Sequence, residues 1–465
     1  MKIILIIPNS GKIPPLIPLG TLYIASALKK AGDHQIKIID ARVGRLNYKE
    51  ISGSIKSFSP ELVGITGLCI EAPEVHKLVR LVKQIDAQYK VVVGGAYATF
   101  CRESIIEDPN IDFVVIGEGE KAICNLVDAL ENGKNISGID GIGFKNGSKT
   151  TINLPVALTE DIDSIPLPAW GLIDMEKYFH GPHKHSQNPA SVFNRIAPLF
   201  TSRGCPFGCI FCHNIFGKKV RARSVRNVVE EIEVLIKEYA VEEIEIIDDI
   251  FNFDLARAKQ ICDEIIKRGI KIHLSFPNAL RADMMDEELI VKLKKAGTYL
   301  IYYAIDSASP EVQKQINKNL DLEKSKEVIN MTIRHGIATG GYFMLGFPGE
   351  TREQMRQTIR FALKSKLHFA SFFYVASFPH TALSKRLGRD TIDQESFNHS
   401  DVLKLTRNFS SVPDSEFRKL VSRAYGKFYF RPYQMWRIWK VLPNKIMVLR
   451  NLCMVLGRYI KDRFH

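Results

Sequence analysis

The stretch TSRGCPFGCIFCHN, residues 201–214, places Cys205, Cys209 and Cys212 within eight positions of a chain that has eight cysteines in 465 residues. Glycine and proline between the thiols favour an exposed loop, which argues against three buried structural cysteines. A structural zinc site usually takes four ligands in two pairs, and the sequence has no second Cys-x-x-Cys or nearby His pair. An iron–sulfur cube normally takes four thiolates, so three cysteines would leave one iron open to another ligand.

The length and composition predict a multidomain cytoplasmic enzyme. The 465 residues exceed the roughly 250–300 that one hydrophobic core supports, so two or three domains are expected. Apolar residues make up 45% and charged residues 25%, which is ordinary for a globular protein. The apolar start of the chain is too short for a secretory signal, and no stretch approaches the ~18 apolar residues of a spanning helix. The scattered cysteines suit a reducing compartment.

The first part of the chain, residues 1–145, predicts a Rossmann-like α/β domain. Short Val- and Ile-rich runs alternate with helical segments, which indicates parallel βαβ units; the runs are 2–8, 35–40, 62–67, 90–95 and 112–116. A parallel sheet of this kind binds ligands at the carboxyl ends of its strands. Several loops there are rich in glycine, although each glycine alone could serve only a tight turn.

A proline-rich linker, residues 146–195, separates this domain from six further strand–helix repeats. The predicted strands are 198–202, 243–248, 271–276, 299–305, 341–346 and 368–375. Their spacing predicts a partial (β/α)6 TIM barrel over residues 196–385, with its chemistry at the carboxyl ends of the strands. The three cysteines follow the first of these strands. Residues 386–465 complete the α/β architecture as a small, mainly α-helical C-terminal extension.

The Cys-x-x-x-Cys-x-x-Cys spacing, with Phe211 just before the third cysteine, resembles the signature of the radical S-adenosylmethionine (radical SAM) enzymes. The resemblance implies that Cys205, Cys209 and Cys212 hold a 4Fe-4S cluster. It also implies that the methionine part of SAM chelates the fourth iron.

Other stretches fit the same resemblance in order and spacing. EIIDDIFNFD, LRAD, AIDSASPE and GYFMLGFPGET lie where that family carries SAM contacts. The residues implied to contact SAM are Phe211, Asp248, Asp249, Arg281, Asp306, Ser307 and Gly346. Two positions depart from the family pattern: Asp306 stands in place of glutamate, and His380 replaces a glycine after the sixth strand.

The N-terminal domain and the proline-rich linker together resemble the cobalamin-binding subclass of that family. VVVGGAYAT and GEGE resemble its fourth- and fifth-strand turns, with Ala96-Tyr97 in place of the usual Pro-His. The residues implied to contact cobalamin are Thr66, Gly67, Gly94, Gly95, Tyr97, Gly117 and Glu118. No Asp-x-His-x-x-Gly follows the first strand, so the resemblance implies cobalamin bound without a histidine from that loop and without its own tail base.

The resemblance covers residues 1 to about 385, and residues 386–465 resemble the substrate-side extension that varies within that family. The resemblance implies that SAM cleavage gives a radical that activates a carbon and that cobalamin delivers a methyl group. We therefore expect a C-methyltransferase that acts on a small-molecule or lipid-like substrate with an electron donor such as flavodoxin or ferredoxin. A cyclisation or redox reaction with the same cofactors is the alternative. A methylthiotransferase is disfavoured because the chain lacks the extra N-terminal cysteine set. A non-enzymatic cobalamin sensor is disfavoured by the intact cysteine trio.

The C-terminal segment 425–465 is basic and aromatic: it has nine Lys or Arg against one acid. Such a segment can lie on an anionic membrane surface, which would make the protein peripheral to the membrane. The alternative is a helix packed on the barrel with its cations in solvent. Nucleic acid is the least favoured partner.

Overall fold

The computed structural model describes residues 1–147, 149–155, 157–180, 186, 190–213, 215–388 and 402–448. A first sheet has the strand order β2-β1-β3-β4-β5-β6-β7. Its strands are β1 (Lys2–Ile7), β2 (Gln35–Asp40), β3 (Leu62–Thr66), β4 (Lys90–Gly94), β5 (Phe113–Val115), β6 (Ile142–Asn146) and β7 (Lys149–Ile152). The first five strands run parallel, as predicted, because the helix after each of β1 to β4 returns the chain to the amino ends of the strands.

Five helices cover the two faces of this sheet: α1 (Leu19–Ala31), α2 (Tyr48–Phe58), α3 (Ala72–Ile85), α4 (Gly95–Ile106) and α5 (Gly119–Asn132). Buried Ile and Val on alternate strand positions divide between two apolar clusters, one under each layer of helices. A capping box between Asn47 and Glu50 fixes the start of α2.

The sheet extends past the boundary predicted at residue 145. Strands β6 and β7 form an antiparallel hairpin, and β6 pairs with β5. The predicted boundary therefore falls inside this hairpin, and the sheet ends at Ile152. The prediction missed the hairpin because Lys, Thr and Gly dominate it, and these residues do not give the apolar pattern of a buried strand.

The second sheet has six parallel strands in the order β15-β14-β13-β12-β11-β8. They are β8 (Ile196–Leu199), β11 (Glu243–Ile246), β12 (His273–Leu280), β13 (Thr298–Asp306), β14 (Ala338–Leu345) and β15 (Phe369–Tyr374). A short hairpin of β9 (Ser202–Arg203) and β10 (Arg221–Ala222) follows β8. In the described residues β8 and β15 form the two edges, so the prediction of a partial barrel is confirmed.

Helices pack on the outer face of this sheet, and together they form the largest apolar cluster. They are α7 (Val225–Tyr239), α8 (Leu255–Lys267), α9 (Glu287–Lys295), α11 (Leu322–Arg334) and α12 (Arg352–Lys364), with the short α6 (Met175–Phe179) in the linker. Two short helices, α10 (Pro310–Gln315) and α13 (Ala382–Arg386), pack instead in a smaller apolar cluster that includes Ile210. Side-chain caps such as Ser224, Asp254 and Thr351 accept from backbone N–H groups at the starts of their helices.

Two C-terminal helices, α14 (Asp414–Tyr429) and α15 (Pro432–Val441), close the edge of the barrel at β15. The Tyr425 hydroxyl accepts from the Phe372 N–H at 2.9 Å and lies 3.2 Å from its carbonyl. Tyr429 makes the same pair of contacts with Ala370, both at 3.0 Å. The edge strand thus has its outer backbone groups satisfied by side chains, which blocks pairing with another strand.

Candidate active site

The cysteine loop leaves the carboxyl end of β8 between the two short strands β9 and β10. Arg203 pairs with Arg221 across this hairpin, so both ends of the loop are tied together. Gly204 has φ +91, and a Cβ on it would lie 2.3 Å from the carbonyl oxygen of Lys219. Only glycine fits this crossing point, which turns the chain into the loop immediately before Cys205.

Contacts with the barrel hold the loop in place. The Ile210 N–H donates to the Ile316 carbonyl at 3.1 Å, and the Ile210 carbonyl accepts from Leu383 at 2.8 Å. The Asn317 amide donates to the carbonyl of Gly208 at 3.0 Å. These bonds come from segments after β13 and β15, so the loop spans the mouth of the barrel.

The pKa values of Cys209 and Cys205 are shifted in opposite directions. A hydrogen bond from Cys212 lowers the pKa of Cys209 to about 7, with help from Lys318 and against the effect of burial. Burial raises the pKa of Cys205. Since a thiolate is the form that binds iron, the surroundings of Cys209 favour the ligating form at neutral pH.

A buried ion pair lies beside these thiols. Lys318 Nζ contacts Asp306 Oδ2, and both side chains are less than one-tenth exposed. Burial opposes the charge on Lys318, but Asp306 and the thiolates outweigh it and raise the pKa of Lys318. Asp306 adopts φ +58, a left-handed conformation that a non-glycine residue rarely takes. The pair therefore places one fixed positive and one fixed negative charge next to Cys209.

The paired acids after β11 separate into two roles. Asp249 accepts a hydrogen bond from the Gly204 N–H at 3.0 Å, which places its carboxylate against the cysteine loop, and burial raises its pKa. Asp248 instead accepts from the Thr201 N–H at 2.6 Å and from the Ser202 hydroxyl at 2.7 Å. Asp248 thus braces the strand end, and only Asp249 borders the loop.

Arg281 also contacts the cysteine loop. Its guanidinium lies 4.1 Å from the centre of the Phe207 ring and donates to both carboxylate oxygens of Asp283. Phe211, in the loop itself, packs its ring 5.6 Å from that of Phe347. The Arg281 side chain therefore lies beside the cysteine loop, and its hydrogen bonds to Asp283 fix the orientation of the guanidinium group.

Ser307 and Gly346 are held by protein contacts behind the mouth. The Ser307 hydroxyl lies 3.2 Å from the hydroxyl of Thr358 and is fully buried. Gly346 has φ +98, its N–H donates to Glu350 at 2.6 Å, and a Cβ would lie 2.8 Å from Phe417. Packing against α14 is thus sufficient to explain glycine at position 346.

The cysteine loop docks directly on the N-terminal domain. The ring of His213, the residue after Cys212, stacks on Phe100 of α4 with centroids 3.9 Å apart and an interplanar angle of 17°. Ile215 packs against the core of the same domain. Burial lowers the pKa of His213 to about 4, so this ring is neutral at physiological pH. The carboxyl end of β4 and the mouth of the barrel therefore face each other.

A buried cluster of charges, which we call the interdomain clamp, joins the same two surfaces. Glu118 receives two hydrogen bonds from Arg221, at 2.7 and 2.8 Å, and lies 3.3 Å from Arg203. Glu120 binds Arg203 at 2.6 Å. The two acids balance the two arginines, and the four side chains are between 1% and 11% exposed. The carboxylate of Glu118 is thereby occupied, so a cobalamin contact from this residue would come from its backbone.

The glycine-rich turns of the first sheet line an open edge. A Cβ on Gly94 would meet only Val115, at 3.9 Å, whereas a Cβ on Gly95, at φ +85, would lie 2.5 Å from Thr66 Oγ1 and 3.2 Å from the Gly67 carbonyl. The Gly117 N–H donates to the Thr99 hydroxyl at 3.0 Å. Glycine is thus required at position 95, where the turns after β3 and β4 approach each other, whereas Gly94 has little protein around the position of a Cβ.

The side chain of Tyr97 turns away from this edge. Its hydroxyl lies 2.9 Å from His76 Nε2, and His76 Nδ1 lies 2.6 Å from Asp108. The three side chains tie α3 to α4 inside the domain. Tyr97 is 2% exposed, so a ligand on the edge would meet its backbone and not its ring.

The donor set fits a four-iron cluster with one open iron. Among the described residues, no three His, Cys, Asp or Glu side chains converge as they would around a single metal ion. A cube requires one thiolate per iron instead, and the three cysteines of the pinned loop supply three. The open edge at Gly94 and Gly95 likewise fits a cofactor that needs close backbone approach.

Sequence reasoning missed Lys318, Arg203 and Arg221. Lys318 lies twelve positions after Asp306 in the segment INKNL, and nothing in that segment marks it as buried. Arg203 is inside the quoted motif, but its role depends on Glu118, which is 85 positions away in the chain. Only the fold brings these charges together.

Comparisons with known proteins agree with this geometry. The model of the Radical SAM superfamily matches residues 199–362, and that of the B12 binding domain matches residues 14–127. The chain is 34% identical to an uncharacterized methyltransferase of Pyrococcus horikoshii, over 93% of each chain. It is 30% identical to the cytidylyl-2-hydroxyethylphosphonate methyltransferase of Streptomyces wedmorensis, over 77% of this chain and 75% of that protein.

A solved structure shares the fold. The radical S-adenosylmethionine methyltransferase TsrM from Kitasatospora setae superposes with a TM-score of 0.70, at 20% identity, over 83% of this chain and 75% of that one. At this identity the likeness concerns the fold alone.

None of the helices in the described residues has the length and apolar character needed to cross a bilayer.

Proposed function

The chain belongs to the radical SAM enzymes that carry a B12-binding domain, and on this basis we propose that it methylates an unactivated carbon of a small molecule. Its cofactors are a 4Fe-4S cluster, SAM and cobalamin. When bound, the cluster and SAM supply the radical that activates the carbon, and cobalamin supplies the methyl group. The relatives with methyltransferase names support methyl transfer over cyclisation.

The observation that carries the proposal is the stack of His213 on Phe100. It joins the residue after Cys212 to the helix that starts at Gly95, so the cluster loop and the cobalamin edge are neighbours. A methyl donor must lie near the carbon that the radical has activated. Two cofactor sites on facing surfaces meet that requirement, and the interdomain clamp fixes their separation.

The charges at the mouth suit the amino-acid part of SAM. Arg281 and Lys318 would attract its carboxylate, and Asp249 would accept a hydrogen bond from its ammonium group. Asp306 would hold Lys318 in place, and Phe211 would pack beside the open iron. For cobalamin, we propose backbone contacts from Thr66, Gly67, Gly94, Gly95, Tyr97, Gly117 and Glu118.

We further propose that a flavodoxin or ferredoxin supplies the electrons. On the basis of the family relationship, we also propose that the chain consists, in order, of a cobalamin-binding domain, a linker, a radical SAM barrel and a C-terminal extension. Residues 389–401 and 449–465 of that extension lie outside the described residues.

Cobalamin binding is tested by substitutions at Gly94. A Cβ there meets only Val115, at 3.9 Å, so the Gly94→Val variant is expected to fold and to bind hydroxocobalamin at least about tenfold more weakly, because the new side chain would occupy the edge where the backbone must approach the cofactor. Equilibrium dialysis of the full-length chain measures the affinity. The control is Gly53→Ala on α2, where a Cβ meets no atom within 4 Å. Unchanged affinity in Gly94→Val would place cobalamin elsewhere.

The role of Lys318 is tested by Lys318→Met in the reconstituted enzyme. We expect about a tenfold loss of SAM affinity, because the variant removes a buried cation that acts on Cys209 and leaves Asp306 without its ion pair. Lys318→Arg should retain most of the binding. Lys314→Met, on the exposed face of α10, is the matched control. Equal SAM affinities for the methionine variant and the wild type would remove Lys318 from the site.

A further inference from the structure

The helix α15 carries an exposed apolar surface, which we call the aromatic face. Of the eleven large apolar side chains that are exposed in the described residues, five lie on or beside this helix: Phe430, Tyr433, Trp436, Trp439 and Ile446. Their exposed fractions range from 42% to 80%. The rings of Tyr433 and Trp436 stack with their centroids 6.0 Å apart. An exposed apolar patch of this kind often marks a binding surface.

The opposite face of α15 is fixed to the barrel. Ile438 and Leu442 pack into an apolar cluster with Leu300 and Ala338. The Gln434 amide donates to the carbonyls of Leu367 and His368 at 2.9 and 2.7 Å. The helix is thus anchored by its inner side, and the aromatic face points outward as a rigid surface.

The segment that carries the aromatic face is rich in cations. Residues 417–448 contain eight Lys or Arg and no Asp or Glu. Lys440 lies 5.0 Å from the Trp436 ring, Lys445 lies 5.1 Å from Trp439, and Arg437 lies 5.8 Å from Tyr433. Tryptophan and tyrosine flanked by Lys and Arg are the side chains that settle at the headgroup level of a bilayer.

The position of the aromatic face on the barrel determines which end of the enzyme would face a membrane. Leu367 and His368 precede β15, and Ala338 and Leu300 lie at or near the starts of β14 and β13. The aromatic face is therefore at the amino ends of the strands, whereas the cysteine loop lies at the carboxyl ends. The segment does not bring the mouth of the barrel to a lipid surface.

We propose that the aromatic face docks the enzyme on an anionic membrane surface with the mouth of the barrel turned away from the lipid. The mouth then remains open to a water-soluble substrate and to the electron donor. This inference is independent of the proposed methyl transfer, because it concerns only the surface of α15.

Flotation of the full-length protein with vesicles tests the docking. We expect association with phosphatidylcholine vesicles that contain phosphatidylglycerol, and at least about tenfold less with pure phosphatidylcholine or at high salt. Trp436→Gln with Trp439→Gln should reduce binding by about tenfold or more, with unchanged thermal unfolding. The matched control is Tyr48→Gln, another exposed aromatic residue, which lies on α2.

Lysine acetylation on the vesicles tests the orientation. Lys427 and Lys440 should become protected, whereas Lys12 and Lys219, which are exposed near the cofactor loops, should react as in free protein. Protection of Lys219 would overturn the orientation. Absence of binding at low salt, or dimerisation through the two tryptophans in place of lipid binding, would overturn the docking itself.

Discussion

Replacing Cys205, Cys209 or Cys212 with alanine is expected to abolish cluster assembly and reductive SAM cleavage completely. Each thiolate serves a different iron of a cube that has only three cysteine ligands in this loop, so a single loss leaves a second iron unheld. The loop itself is pinned by backbone bonds from Ile210 to Ile316 and Leu383, so the variants should still fold. Anaerobic reconstitution followed by iron analysis and 5′-deoxyadenosine measurement gives the readout.

The control for this series is Cys124→Ala. Cys124 lies on α5, outside the cysteine loop, and is only partly buried. It should reconstitute with about four irons per chain, like the wild type. A Cys209→Ala protein that kept both its iron and its 5′-deoxyadenosine production would refute the cluster assignment.

The second large effect is expected from the interdomain clamp. Glu118→Gln removes the carboxylate that Arg221 binds with two hydrogen bonds, and leaves two buried arginines facing the single charge of Glu120. Breaking one partner of a buried ion pair typically costs about 3–5 kcal/mol. The free energy of unfolding should fall by that amount, and proteolysis between the domains should become faster.

Glu160→Gln provides the comparison. Glu160 pairs with Lys219 on the surface, where the two side chains are 65% and 67% exposed, and an exposed pair contributes about 0–1 kcal/mol. Urea unfolding followed by circular dichroism measures both variants. If Glu118→Gln lost no more stability than Glu160→Gln, the clamp would not hold the domains together.

The parallel strands of the two sheets were predictable because each is marked by a short apolar run in the sequence. Runs such as IILII at residues 3–7 and the Val triplet before Gly94 are apolar throughout, as strands buried on both faces must be, and the structure places β1 and β4 at these positions. The β6–β7 hairpin has no such run, and it was missed. The cysteine motif could also be identified from the sequence, because its interpretation depends on the spacing of the three cysteines and not on contacts with distant residues.

The partners of the site residues were not predictable, because they depend on contacts between distant segments. Asp248 and Asp249 are neighbours in sequence, yet one braces Thr201 and the other borders the cysteine loop. Glu118 fits a cofactor motif, but its carboxylate binds arginines from the other domain. Tyr97 was placed at the cobalamin edge by its position after two glycines, while its ring pairs with His76.

The most direct test of methyl transfer uses SAM with a trideuterated methyl group. The reconstituted full-length protein, loaded with hydroxocobalamin and reduced without any substrate, is mixed with this SAM, and the products are analysed by mass spectrometry. We predict one S-adenosylhomocysteine per bound cobalamin, with the trideuteromethyl group recovered in the cobalamin fraction. Formation of 5′-deoxyadenosine with no S-adenosylhomocysteine and no labelled cobalamin would contradict methyl transfer. It would leave a cyclisation or redox reaction with the same cofactors as the function.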